Sequence, residues 1–369
     1  MKSEDQRPKN KNPKSIDWTN IKRVLVVRLR SIGDTVLTTP SLIALRRFLP
    51  DARIDVLLED WVAPILENFD AVDNVLTFSR KSKRSRLDVL IKLRRAKYDV
   101  VFNLHGGTTS TFFVRAAGAA HRVGFAHYRY AFLYNHLLSS AKDFWHRETI
   151  HSAEQHLALL GFAGVPVSDK TKTRLVVTEK ARNSIENKLS SAIGNPQSAF
   201  ALIHPTAAFD TKQWATENFA RVAEFLHEKG LSIIAIATEK ERAVLENLKQ
   251  SARVPVITFN DLTLPEITAL ASRAKLFVGN DSGIAHIAAA VETPLVVVFG
   301  SSNINHWRPW TNAPNEIVYQ KMACQPCAGH FCAQFGEPRC ILNVTTESVI
   351  KAIEKIIVKG KSNIRVRKC

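Results

Sequence analysis

Residues 275–300 read KLFVGNDSGIAHIAAAVETPLVVVFG, with the polar triplet Asp281-Ser282-Gly283 breaking an otherwise apolar run. Before the triplet, 276–278 reads as a buried strand. After it, 284–291 is Ala-rich and helical, Pro294 ends that helix, and 295–299 is a second continuous apolar strand. Strands this apolar on both faces belong to a parallel sheet covered by helices. The triplet then falls at a strand's C-terminal end and a helix's N-terminus. Ligands bind there in α/β sheets, and free backbone N–H groups there attract anions.

The same grammar spreads outward through the second half. FALIHP is a strand, TENFARVAEFLHEKG a helix ending at Gly230, LSIIAIA a strand and EKERAVLENLKQ a helix, followed by PVITF and the helix LPEITALASRA. The first half matches it. A strand at 24–27 leads into RSIGD and a helix over 38–49, then ARIDVLLE, a short helix in WVAPILENF, NVLTF, a basic helix and YDVVFNL. Residues 121–150 read as irregular and aromatic-rich. The alternation predicts an α/β fold of two doubly wound parallel sheets. The domains are expected at 18–178 and 198–345, with a linker near 178–198 and basic tails at 1–17 and 360–369. Two such domains bind ligands in a cleft where strand C-termini face one another.

The 369 residues are 45% apolar and 23% charged, ordinary for a soluble protein with sizeable cores. No run of apolar residues is long enough to span a membrane. MKSEDQRPKNKNPK lacks the apolar segment of a secretory signal, which with only five cysteines gives the cytoplasm as the expected compartment. The net charge of +17 sits in three places: residues 1–15, 80–97 and 351–369. The middle stretch carries nine basic residues and one acidic, and places Leu87, Leu90, Ile91 and Arg94 at helical spacing. Such a distribution suits an anionic surface, membrane or nucleic acid, with solvated tails as the plain alternative.

Several polar residues stand where apolar ones would pack better. Ser31 and Gly33 form a turn directly after the first strand and deliver Asp34 to the sheet's edge, either as a helix cap or as a catalytic base. His204 and Thr206 close another strand. Lys212 follows in a loop beside Trp214, where it meets either solvent or phosphate. Glu239 ends the strand LSIIAIAT, either accepting from ribose hydroxyls or favouring a helix dipole. Ser282 and His286 share one helix face beside Asp281 and the bare backbone of Gly283. The residues thus point to a phosphate-bearing ligand on the second domain and a carboxylate supplied by the first.

CQPCAGHFCAQFGEPRC places Cys324, Cys327, Cys332 and Cys340 close together with His330 among them. The spacing reads as a structural zinc site or as unligated thiols, an iron–sulfur cluster being less suited to the surroundings. Four thiolates leave no open coordination position, so no catalytic metal is expected here.

VLVVRLRSIGDTVLTTPSLIALRRFLPDARIDVLL, VGNDSGIAHIAAAVETPLVVVFGSSNINHWRPW, HPTAAFDTKQW and IHSAEQHLALLGF together resemble glycosyltransferase family 9, the ADP-heptose:lipopolysaccharide heptosyltransferases. RLRSIGDTVLTTP, HPTA and HWRPW look most like its heptosyltransferase III type. The resemblance covers roughly 20–350. It implies a GT-B fold of two facing Rossmann-like domains and inverting transfer needing no metal or other cofactor. It also implies ADP-heptose as donor and a lipid A-core acceptor at the inner face of the inner membrane. Asp34 matches the family's base. Thr206 and Lys212 match contacts to the donor diphosphate, and Glu239 matches a residue holding the nucleoside. Asp281, Ser282, Gly283 and His286 match the donor-binding helix start, while Ser31 and Gly33 line the acceptor-side turn. Ser282 stands where the family often has Thr, which keeps the hydroxyl.

Two other classes compete. A GT-B enzyme using a different sugar nucleotide would share the fold. A basic zinc-knuckle nucleic-acid-binding protein would interleave aromatic residues with its cations, and 80–97 has none, so no nucleic-acid partner is expected.

Overall fold

A computed structural model describes residues 15–194, 197–327 and 329–366, with residues 359–366 described by backbone alone. The chain divides between Thr171 and Lys172 into two units, each with its own sheet. Of the expected basic tails, 1–14 and 367–369 lie outside the described residues. The backbone of 360–366 continues the helix Thr346–Val366.

In the first unit the strands are β1 (Arg23–Val27), β2 (Arg53–Glu59), β3 (Asn74–Phe78), β4 (Val100–Asn103), β5 (His121–Phe125) and β6 (His136–Leu138). Their order is β3-β2-β1-β4-β5-β6, and every neighbouring pair is parallel. Val24–Val27 of β1 and all of β4 are buried, as expected of central strands covered on both faces. Leu25, Val27, Leu57, Val101 and Phe113 pack into one core cluster with Val89 and Leu93 of the helix Lys83–Ala96. The strand order reverses between β1 and β4, so the loops leaving these two strands emerge side by side at one edge.

The segment 121–150 is more regular than its sequence suggests, because it supplies β5, β6 and the short helix Ala141–Trp145. HRVGF and HLL are too short, and too rich in histidine and glycine, to show a pattern. Pairing defines them: His121 Nδ1 lies 2.9 Å from His136 Nε2 across the two strands.

The second unit has β7 (Phe200–His204), β8 (Ser232–Ile236), β9 (Val256–Phe259), β10 (Leu276–Asn280), β11 (Leu295–Phe299) and β12 (Asn315–Tyr319), in the order β12-β11-β10-β7-β8-β9 and again all parallel. The reversal here lies between β7 and β10. Residues 178–198, read from sequence as a linker, contain the helix Glu179–Ile193, capped by the Thr178 side chain. It buries Ala181, Ile185 and Leu189, a four-residue rhythm concealed among polar neighbours, and Ser184 Oγ donates to Glu266 on the helix Leu264–Arg273 at 2.6 Å. Among the described residues no helix is long and apolar enough to cross a membrane.

Candidate active site

At the first unit's switch point, β1 ends at Val27 and the helix Ile32–Val36 begins four residues after Arg28, with Ser31 at its N-cap. Asp34 sits inside the first turn, so it does not cap the helix as one sequence reading allowed. Its carboxylate is instead gripped by Arg28 and accepts from Ser31 Oγ at 3.1 Å. Arg28 is buried; it also donates to the Leu104 carbonyl, and its Nη1 lies 3.3 Å from His156 Nε2. Burial alone would raise the Asp34 carboxyl. The charges of Arg28 and His156 and the hydrogen bonds from Ser31 and Arg28 outweigh it, holding the group below the usual carboxylate range. The result is an ionised, partly exposed carboxylate at neutral pH. His105, just beyond β4, is pushed down to about 4 by burial and then by the Arg28 charge, so it is neutral beside Asp34.

Arg28, His105 and His156 carry no role in the sequence reading. His156 arrives from the helix Ser152–Phe162, far along the chain, and only tertiary packing brings it to Arg28. At the same sheet edge a cavity of about 620 Å³ is lined by Glu59, Asp60, Trp61, Ser79, Arg80 and Lys81, residues directly following β2 and β3 or ending β2. Glu59 is buried and accepts from the Trp61 indole at 2.8 Å, while Arg80 Nε lies 3.5 Å away. Trp61 is half exposed. A larger cavity of about 700 Å³ between Ala63–Leu66 and β3 contains none of the groups around Asp34.

The second unit gathers its polar residues at the β7–β10 junction. Asn280, last residue of β10, accepts from the Trp214 N–H at 3.1 Å and donates to the Pro205 carbonyl at 2.9 Å. This ties the 205–214 loop to the strand end. The loop's turn Asp210–Lys212 then presents Lys212, whose Nζ donates to Asp281 Oδ2 at 2.9 Å. Ser302, after β11, hydrogen-bonds the same carboxylate oxygen. Gly300 makes that approach possible: a Cβ there would collide with the Thr211 carbonyl, which instead accepts from the Ser301 N–H at 3.2 Å.

His204 is the hub of a second set of contacts. Its Nδ1 lies 3.2 Å from Ser282 Oγ and its Nε2 3.2 Å from Thr206 Oγ1. Burial pushes its pKa down to about 4, so the ring is a neutral bridge between two hydroxyls. Ser282 is the N-cap of the helix Gly283–Ala290, and its side chain makes no capping bond. His286 is buried in the same helix. Thus Thr206, Lys212, Asp281, Ser282, Gly283 and His286 come together around one helix start. Glu239 does not join their hydrogen bonds. It is mostly exposed, accepts from Asn260 Nδ2 at 2.5 Å and lies 3.8 Å from Arg242. Glu241, two residues on, faces inward. Burial would raise its carboxyl, but hydrogen bonds from Thr238 and Thr206 and the neighbouring His204 bring it below the ordinary value.

In the cysteine segment, Cys340 is buried, Cys324 and Cys332 are half-buried and Cys327 is exposed. Burial and then the neighbouring Cys327, Cys324 and Cys332 push the Cys340 thiol up. His330 packs on Phe209, its ring centroid 4.1 Å away. Among the described residues no group of three or more His, Cys, Asp or Glu side chains is placed to hold a metal ion. The zinc reading of the spacing therefore finds no preformed ligand set.

The family model described as glycosyltransferase family 9 (heptosyltransferase) matches residues 86–334. The chain belongs to glycosyltransferase family 9. It is 31% identical over 302 residues to a lipopolysaccharide heptosyltransferase 3 of Escherichia coli, covering 77% of this chain and 85% of that one. Two solved structures share the fold. A family 9 glycosyltransferase from Veillonella parvula DSM 2008 matches with a TM-score of 0.80 at 21% identity, covering 94% of this chain and 99% of that one. E. coli ADP-heptose lps heptosyltransferase II matches with a TM-score of 0.77 at 20% identity, covering 92% and 99%. As a family 9 member the chain is a glycosyltransferase of two Rossmann-like units with parallel sheets, the GT-B fold class.

Proposed function

We propose that this family 9 enzyme transfers heptose from ADP-heptose to the inner core of a lipopolysaccharide precursor, with inversion, as a side-branch addition of the heptosyltransferase III type. The likeness to a lipopolysaccharide heptosyltransferase 3 over three quarters of the chain carries this reading. We assign acceptor binding to the first unit and donor binding to the second. Asp34 accepts the proton of an acceptor hydroxyl as that oxygen bonds to the anomeric carbon. The bond from that carbon to ADP breaks in the same step, and ADP leaves with the electron pair. An already ionised carboxylate suits this, because proton removal and C–O cleavage proceed together.

Lys212, the hydroxyls of Thr206 and Ser282, and the helix start at Gly283 are the groups offered to the leaving diphosphate, where negative charge accumulates. His286 contacts the donor from that same helix, and Glu239 holds the nucleoside ribose. Ser31 and Gly33 shape the acceptor-side turn. The Trp61–Arg80–Lys81 cavity matches an anionic sugar, an aromatic face for its ring and cations for its charge. Transfer on this reading needs no metal, and a zinc ion on the 324–340 cysteines would be structural. Since such an acceptor is anchored in a bilayer, the enzyme works in the cytoplasm at the inner membrane's inner face.

The test is incubation with ADP-heptose and truncated lipopolysaccharide acceptors, with UDP-sugars as competing donors. Asp34→Ala is expected to fold normally, retain donor affinity and lose transfer by at least about a hundredfold. Preference for a UDP-sugar would overturn the donor assignment, and unchanged turnover would remove Asp34 from its role.

A further inference from the structure

The helix Lys83–Ala96 has two apolar stripes, and the core needs only one. Val89 and Leu93 are buried in the first unit's core, with Leu90 packed against it. Half a turn around, Leu87 is 59% exposed and Ile91 42% exposed. One turn before them stand Lys83 and Arg84, and one turn after them Arg94 and Arg95, all exposed. Asp88 is the helix's only carboxylate. The neighbouring helix Thr108–Ala117 adds Phe112, 58% exposed, with Arg115 one turn on. Arg94 joins the two helices, its guanidinium lying over the bare backbone of Gly118 at the second helix's end.

We infer that the exposed face of the helix Lys83–Ala96 docks the protein onto an anionic phospholipid bilayer, Leu87 and Ile91 entering the acyl boundary while the surrounding lysines and arginines meet headgroup phosphates. The membrane comes from the heptosyltransferase reading above; the residues come from the face itself. An apolar centre ringed by cations is what an interfacial helix presents. A second copy of this chain is a poor occupant, because pairing the face with itself would press the two sets of cations together. Nucleic acid would satisfy the cations but offers nothing to cover Leu87 and Ile91. A bilayer supplies both chemistries in one surface. The placement also serves the acceptor. The helix starts just after Arg80 and Lys81, at the sheet edge that carries Asp34 and the Trp61 cavity. A sugar chain anchored in the docked bilayer emerges beside that edge.

The test is co-sedimentation of the full chain with phosphatidylcholine vesicles made with or without phosphatidylglycerol. Two variants are compared with the wild type: Leu87→Gln with Ile91→Gln, and Arg84→Gln with Arg95→Gln. The wild type is expected to bind only vesicles containing phosphatidylglycerol, and each double variant to bind them at least about tenfold more weakly. Transfer to a deacylated, water-soluble core acceptor is expected to be unchanged in both. Full binding by the Leu87→Gln, Ile91→Gln variant would assign the attraction to the basic tails and overturn the proposal. So would absent wild-type binding, or a wild-type dimer that this variant splits. Intact, variant-sensitive vesicle binding without transfer to the soluble acceptor would leave the docking face standing and sink the heptosyltransferase reading instead.

Discussion

Single side chains set the electrostatics of both sites, and in each a cation, buried Arg28 or partly buried Lys212, is matched to a carboxylate before any ligand arrives. Lys212 and Asp281 are the second unit's pair. If Lys212 neutralises the departing diphosphate, Lys212→Ala should lower kcat/KM by about a hundredfold, measured in steady-state transfer. Asp281→Asn should cost less in the Lys212→Ala background than in the wild type, because the two side chains act as a unit. Additive losses would show that they serve the donor independently. The positions of His204 and Asp281 at strand ends were legible in the sequence because each closes or directly follows an apolar run, and Asp34 was legible only as part of the Gly33 turn after β1. Arg28 and His156 were not, since their meeting depends on two distant segments packing together. Glu239 and Glu241 illustrate a further limit. Sequence locates the turn, but only the capping geometry around Thr238 decides which carboxylate points inward.

Elements were readable in proportion to their apolar continuity. The central strands are buried on both faces and announce themselves by Val, Ile and Leu runs; β5 and β6 lie toward an edge, are short, and show no such run. The helix Glu179–Ile193 buries only three side chains and passed for a linker. Its partner Leu264–Arg273 is better signposted, with Thr263 and Glu266 forming a capping box and Pro265 in the first turn. Burial would raise the Glu266 carboxyl, but hydrogen bonds from Ser184 and Thr263 and the charge of Lys188 hold it at about 2. Thr263→Ala should therefore cost about 1 kcal/mol of stability in a denaturant titration while leaving transfer unchanged. A loss of activity without a loss of stability would place this cap in the site rather than the scaffold.

Across the whole molecule, burial keeps His105, His136 and His204 neutral, each pushed down to about 4 from an ordinary value of 6.5. In that window the unfolded chain binds protons that the folded chain refuses, so stability falls as the pH drops from about 6.5 toward about 4. His204, buried at the end of β7, contributes to that loss in the same direction. Melting curves at pH 7 and pH 5 should show the decline, and His204→Asn should flatten it; a wild type equally stable at both would contradict the buried neutral rings. The grip of Asp281 on Lys212, reinforced by Ser302, has one further consequence. An ammonium already balanced by a carboxylate is a weak lure for stray ions, so the abundant orthophosphate of a cell gains little by lodging beside it. If a nucleotide sugar binds there, it arrives with several anchors at once and shares that lysine, so millimolar orthophosphate is expected to slow steady-state transfer only weakly.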